Sequence, residues 1–166
     1  LKYFLTLLTL ISISYGEMAY QDDIDEEEAF ELFQEGAIII DVRTPSEFIH
    51  TGHGLGHINI PVLFQEYKLK PLRIIRKFAK MEQKKGKAFN TRKLYKIIIR
   101  DNPNFFKNVM KVANGDLEAE IILICHSGRR SKFASNLLAK KGFENIYNLD
   151  GGFLAWQKAK YPWGQN

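Results

Sequence analysis

Three short runs of consecutive apolar residues interrupt a chain patterned mostly at helical spacing. Ala37-Ile38-Ile39-Ile40 and Ile121-Ile122-Leu123-Ile124 are continuous and rich in β-branched residues, and Ile146 to Leu149 is a third, shorter run. Runs of this length and composition predict strands buried on both faces. Between them the spacing predicts helices. Asp22 to Gln34 carries acids in its first turn and Ala29, Phe30, Leu32 and Phe33 on one side, with Gly36 as its stop. Ser46 to His50 reads as a helical turn, Thr51 to Gly56 as a glycine-rich loop and Ile58 to Pro61 as a short strand. Arg129 to Lys141 groups Phe133, Ala134, Leu137 and Leu138 on one side before Gly142, and Phe153 to Lys160 is a last helix ended by Pro162. Strands alternating with helices predict an α/β fold, a central parallel sheet with helices on both faces.

The stretch from Leu63 to Glu118 departs from this rhythm. Leu72, Ile75, Phe78 and Ala79 predict a basic amphipathic helix broken near Gly86, and Phe105 to Ala113 predicts another, N-capped by Asn104 and stopped by Gly115. Thr91 to Arg100 fits either a helix or a strand. The expectation is an inserted helical region over about 63–118, its helices packed on one side of the sheet and its bases facing solvent. The N-terminus differs again. Lys2 precedes eleven uncharged residues, Tyr3 to Ile13, too few to span a bilayer comfortably, and Ser14 and Gly16 then form a cleavage-site pattern. Residues 1–16 read as a signal peptide and 17–166 as a single domain. The expected location is outside the cytoplasm, periplasmic in a Gram-negative bacterium.

Composition sharpens the picture in two places. The net charge is +5, but it is segregated. Glu17 to His50 holds 11 acids and one base, whereas Gln65 to Gly115 holds 15 bases and three acids. Such asymmetry suits an anionic or protein partner or a membrane surface for the basic part, or else two solvated faces or an acidic N-terminal helix lying against basic ones. Aromatics among the bases recur at helical spacing, which suits a core better than base stacking, so no nucleic acid is expected. A single cysteine excludes an intrachain disulfide and a multi-cysteine metal site. His50, His53 and His57 are spaced by three and four, but the glycines among them break any helix that would align all three. No metal or cofactor is expected, and the chain is expected to be a monomer.

The candidate chemistry lies in Cys125-His126-Ser127-Gly128-Arg129-Arg130-Ser131, between a buried strand and a helix. Unpaired backbone N–H groups at a helix start carry partial positive charge and favour a thiolate. Arg129, Arg130 and a protonated His126 add to that field, and Gly128 permits a tight turn. The expectation is a Cys125 with depressed pKa, exposed at the bottom of a shallow basic pocket, acting as a nucleophile. Asp41 ends another strand, where sites of parallel sheets gather.

These residues resemble the rhodanese family of sulfurtransferases. The cysteine loop is similar to the active-site loop of single-domain members. Ile40-Asp41-Val42-Arg43 with Glu47-Phe48 resembles the family's first block, and Gly52 to Pro61 resembles its Gly-His-Ile-Pro-Gly-Ala-x-Asn-Ile-Pro block. Leu149-Asp150-Gly151-Gly152-Phe153-Leu154-Ala155-Trp156 resembles its C-terminal signature. The resemblance implies a sulfur carrier. The Cys125 thiolate would take sulfane sulfur from a donor such as thiosulfate and pass it from a persulfide to a thiophilic acceptor. Residues 126–131 would bind substrate, with Arg129 and Arg130 as candidates for the donor's sulfonate. Asp41, Arg43 and Glu47 would order the loops. The chain departs from the family at Gly54, Leu55 and His57, where the family has Ile, Pro and Ala, and in the length of 63–118. Rival readings are a non-catalytic binding module on the same fold, a phosphatase, and an adaptor working through its basic insertion. Four residues between Cys125 and Arg130, against five in the phosphatase relatives of the fold, favour sulfur transfer.

Overall fold

A computed structural model describes residues 19–83 and 91–165. The expected leader over 1–16 and the break near Gly86 lie outside them. In chain order the elements are β1 (Asp22–Ile24), α1 (Glu26–Glu35), β2 (Ile38–Asp41), α2 (Pro45–Thr51), β3 (His53–Gly54), β4 (Ile58–Asn59) and β5 (Leu63–Leu69). There follow α3 (Leu72–Gln83), a 3-10 turn (Thr91–Leu94), β6 (Tyr95–Asp101), α4 (Phe105–Val112) and β7 (Ile121–Ile124). The chain continues through α5 (Arg129–Ala139), β8 (Ile146–Leu149), α6 (Gly152–Lys158) and β9 (Trp163–Gly164). Five strands form one parallel sheet in the order β1-β8-β7-β2-β4.

The three apolar runs are β2, β7 and β8, at the sheet's centre. Because side chains alternate across a strand, each run feeds two cores. Ile40, Ile121, Leu123 and Ile146 pack with Phe105 and Val109 of α4 and with Ala134 and Leu138 of α5. Ile39, Ile122, Ile124 and Leu149 pack with Ala29 of α1 and with Phe153 and Trp156 of α6. Helices thus cover both faces, as the alternation predicts. The Asp25 side chain accepts from the N–H groups of Glu27 and Glu28 and starts α1, and Gly36, at φ +116°, ends it. The helix predicted from Asp22 is therefore shorter. Its first residues form β1 instead, paired with β8 and tied by Asp23, which accepts from the Tyr20 hydroxyl, the Lys132 ammonium and the Asn148 amide.

The helical expectation for 63–118 needs a larger correction. Helices α3 and α4 are present, but Leu63–Leu69 and Tyr95–Asp101 form a separate antiparallel ribbon, with Leu69 opposite Tyr95 and Tyr67 opposite Ile97. From Phe64 on, every β5 residue is exposed, and α3 buries no residue at all. Only α4 packs on the sheet as expected. The ribbon and α3 together form an arm that contributes no fully buried residue to either core. Among the described residues, no helix is long and apolar enough to cross a membrane.

Candidate functional site

The carboxyl ends of β2 and β7 lie side by side, with Asp41 opposite Ile124. Cys125 follows directly. Its loop is shaped from behind by α6. The N–H of Phe153 donates to the Cys125 carbonyl (2.8 Å) and that of Leu154 to the His126 carbonyl (3.2 Å). With those carbonyls turned toward α6, neighbouring N–H groups are free to face the sulfur. This packing demands glycine at position 152, at φ +60°, because a Cβ there would lie 2.6 Å from the Cys125 carbonyl and 2.7 Å from the Ser127 nitrogen. Gly128, at φ +88°, turns the chain into α5 with no side-chain cap, which leaves the helix's first N–H groups to the site.

The sulfur is held by the loop it begins. Burial pushes the Cys125 thiol up. The Ser131 hydroxyl and the backbone N–H groups of Ser131, Ser127 and Arg130 outweigh that and hold it below the ordinary thiol value. Ser131 Oγ lies 3.4 Å from Cys125 Sγ and 3.0 Å from the Gly128 carbonyl. Its one proton can serve either, so it can turn to the sulfur when that carries charge. The expectation of an exposed cysteine is corrected, since Cys125 is 1% exposed. The loop closes around the sulfur more tightly than a shallow pocket allows.

The two arginines part company. Arg130 donates to both carboxylate oxygens of Glu47 at 2.7 Å, a bidentate pair joining α5 to α2. Glu47 also accepts from the Thr44 N–H and hydroxyl, completing a capping box. The Arg130 guanidinium beside Glu47 holds its carboxyl down at about 2. Arg129 is exposed and makes no side-chain hydrogen bond or ion pair among the described residues. His126 and Ser127 are exposed beside it.

Asp41 and Arg43 are wholly buried and joined by bonds of 2.6 to 3.0 Å. Arg43 also donates to the Thr51 hydroxyl and the Gly52 carbonyl, both at 2.8 Å, and lies over the Phe153 ring. One side chain thereby ties β2, the loop after α2, and α6. Of the three residues named from the first block, Glu47 bonds Arg130 of the cysteine loop directly, whereas Asp41 and Arg43 brace the neighbouring strand end and the loop after α2. The sequence signals missed two helpers. Asn59 donates to the carbonyls of Asp41 and Arg43 (2.9 and 2.8 Å), and the Gly152-Phe153-Leu154 turn presents its N–H groups to the loop. The Asn-Ile-Pro and Gly-Gly-Phe signatures pointed at both positions.

The histidines do not converge. His53 stacks on Phe48 and bonds its carbonyl, and His50 is exposed. His57 is buried against Trp156 and Gly54, and neither ring nitrogen has a partner among the described residues. Burial, with His53 and Arg43 nearby, pushes its pKa down to about 3. No group of three or more described His, Cys, Asp or Glu residues could hold a metal ion.

Residues 25–159 match the Rhodanese-like domain family. Thiosulfate sulfurtransferase GlpE of Ectopseudomonas mendocina is 27% identical over 139 residues, 84% of this chain and 86% of that protein. Rhodanese-like domain-containing protein 17 of Arabidopsis thaliana is 41% identical over 61 residues. That match spans 37% of this chain but 38% of the plant protein, so the chain covers well under half of that relative. The crystal structure of Rv0390 from M. tuberculosis shares the fold, with a TM-score of 0.56 over 89% of this chain and 99% of that one at 18% identity.

Proposed function

The chain belongs to the rhodanese-like domain family, and we propose that it is a sulfurtransferase carrying sulfane sulfur as a persulfide on Cys125. The observation that carries this reading is the set of donors around Cys125 Sγ, three backbone N–H groups and the Ser131 hydroxyl. Such a ring stabilises an anion on sulfur, and the loop from Cys125 to Ser131 holds no carboxylic acid to protonate the leaving oxygen of a phosphate ester. The Cys125 thiolate attacks the outer sulfur of thiosulfate, the S–S bond breaks and its electron pair leaves with sulfite. The outer sulfur remains on Cys125 as an anionic persulfide facing the same N–H groups. A thiophilic acceptor such as cyanide then attacks that sulfur, and the Cys125 thiolate returns. Arg129, exposed and uncommitted, is the guanidinium suited to the donor's sulfonate, whereas Arg130 is held by Glu47.

The test is intact-protein mass spectrometry after thiosulfate, paired with thiosulfate:cyanide turnover. The expected result is an added mass of one sulfur atom, absent in Cys125→Ser, and a turnover loss of at least about 10³-fold in that variant. Hydrolysis of p-nitrophenyl phosphate that depends on Cys125, with no persulfide formed, overturns the reading. Export belongs to the same proposal. The mature chain should start at Glu17, and N-terminal sequencing from the native host checks it; a cytoplasmic chain retaining Leu1 to Gly16 counts against export.

A further inference from the structure

We infer that the arm formed by β5, α3 and β6 is a docking surface for an anionic lipid bilayer. The argument begins with α3. At about 100° per residue, Arg73, Arg76, Lys77 and Lys80 fall on one side, while Ile74, Ile75 and Phe78 fall on the other, with Leu72 and Met81 at its two edges. A helix of this pattern inside a globular protein buries its apolar side, yet Ile74, Ile75 and Phe78 are only half-buried and no residue of α3 is buried outright. Leu72 is 64% and Met81 48% exposed. A basic polar side opposite an incompletely covered apolar one, on a helix of low overall hydrophobicity, is the pattern of helices that lie in a membrane interface.

The ribbon repeats the observation independently. Tyr67, Leu69, Tyr95, Ile97 and Ile99 share one ribbon face by register, and all are exposed. Uncovered apolar patches of this extent mark interaction surfaces. Charge selects the partner. Over 63–83 and 93–101 nine bases (Lys68, Lys70, Arg73, Arg76, Lys77, Lys80, Lys93, Lys96 and Arg100) stand against Glu66, Glu82 and Asp101. A second copy presenting the same arm would set like charges together, at a cost to the contact. An anionic bilayer supplies what the arm lacks on both counts, apolar depth for Leu72 and Met81 and phosphates for the bases, whose long stems keep their heads at the headgroup level. Glu47, which grips Arg130 of the cysteine loop, lines a cleft with Gln65, Tyr67, Tyr95 and Ile97. Docking through the arm therefore places the cysteine loop beside the lipid surface.

The experiment is flotation of the full chain with vesicles of phosphatidylglycerol and phosphatidylcholine in equal parts, against phosphatidylcholine alone, at low salt. Binding to the anionic vesicles should exceed that to the neutral ones by about tenfold or more and fall when salt is raised to about 0.5 M. Leu72→Glu with Met81→Glu should cost about tenfold in binding while leaving thiosulfate:cyanide turnover unchanged, since both positions are solvent-facing. Cys125→Ser should bind as the parent does. The inference is overturned by absence of flotation with anionic vesicles. It is equally overturned if the double variant floats as well as the parent, or if the chain self-associates through the arm and ignores vesicles.

Discussion

The cysteine loop and the arm are built on opposite principles. Around Cys125 the carbonyls of the loop are taken by α6, Arg130 by Glu47, and Arg43 by Asp41, Thr51 and Gly52. The apolar side chains behind the loop are fully buried. On the arm the ribbon's apolar side chains face out, and the ion pair of Arg100 with Glu66 is half exposed on both sides. The contrast teaches where each region's shape comes from. The loop is fixed by contacts between elements far apart in sequence, so its geometry survives only while the whole body is folded. The arm is fixed by its own ribbon pairing and carries surface that the body does not use. Substitutions should therefore be costly behind the loop and cheap on the arm.

The largest effect is expected at the buried pair. Arg43→Ala leaves the Asp41 carboxylate buried without its cation and strips the Thr51 and Gly52 contacts. A loss of about 3–5 kcal/mol in urea unfolding is expected. The double variant Asp41→Asn with Arg43→Met should recover part of it, because no charge is then stranded. A single variant within 1 kcal/mol or so of the parent would falsify the view that this pair holds the site from behind. Next comes Gly152→Ala. Its Cβ would meet backbone atoms of the cysteine loop at 2.6 and 2.7 Å, and backbone cannot yield as a flexible side chain does. A cost of about 1–3 kcal/mol is expected, with sulfur-transfer turnover falling more than stability explains. Equal turnover at equal folded fraction would mean that α6 does not set the loop.

Acid should loosen the body through two groups, each in its own pH window. His57 is neutral in the fold because its pKa is pushed down to about 3, and the unfolded chain protonates it near 6.5. As pH falls from 6.5 toward 3 the unfolded state binds the extra proton, so stability declines by up to about 1.4 kcal/mol per pH unit from this group. Glu47 acts in a lower window. Its folded pKa is lowered to about 2 by Arg130, so its contribution is complete above the unfolded value near 4.5 and is lost as pH falls from there toward 2. Denaturation series from pH 7 to 4 should show the decline in the parent and a flatter profile in His57→Leu. Identical slopes in the two proteins would remove His57 from the account.

The same contrast governs what could be read from sequence. Strands β2, β7 and β8 were legible because burial on both faces forces an unbroken apolar run. The site was legible where chemistry is local, in the loop from Cys125 to Ser131. It was less legible where function depends on distant partners. Nothing near Arg130 announces that Glu47, 83 residues earlier, occupies its fork. The burial of Cys125 likewise depends on α6 closing the loop from behind. The ribbon escaped the pattern because neither of its faces is buried, so no alternation of apolar and polar residues is imposed on Leu63–Leu69. Strand β1 escaped because Asp22 and Asp23 disfavour a strand on propensity, and its place is set by Lys132, Asn148 and the pairing with β8.

The smallest expected effect is the most informative about the arm. Ile97→Thr and Ile99→Thr replace exposed β-branched residues with another β-branched residue, so strand preference is kept and only apolar surface is lost. The side chains are 53% and 61% exposed. Changes at exposed positions without special contacts fall within about 0.5 kcal/mol, and that is the shift expected for each in urea unfolding of the chain free of lipid. If the arm docks on lipid as proposed, the pair should reduce vesicle binding while leaving stability alone. A stability loss of about 2 kcal/mol or more would show the face is already covered in solution, because a cost of that size requires burial. The arm would then belong to the same kind of structure as the loop, and the contrast between the two regions would collapse.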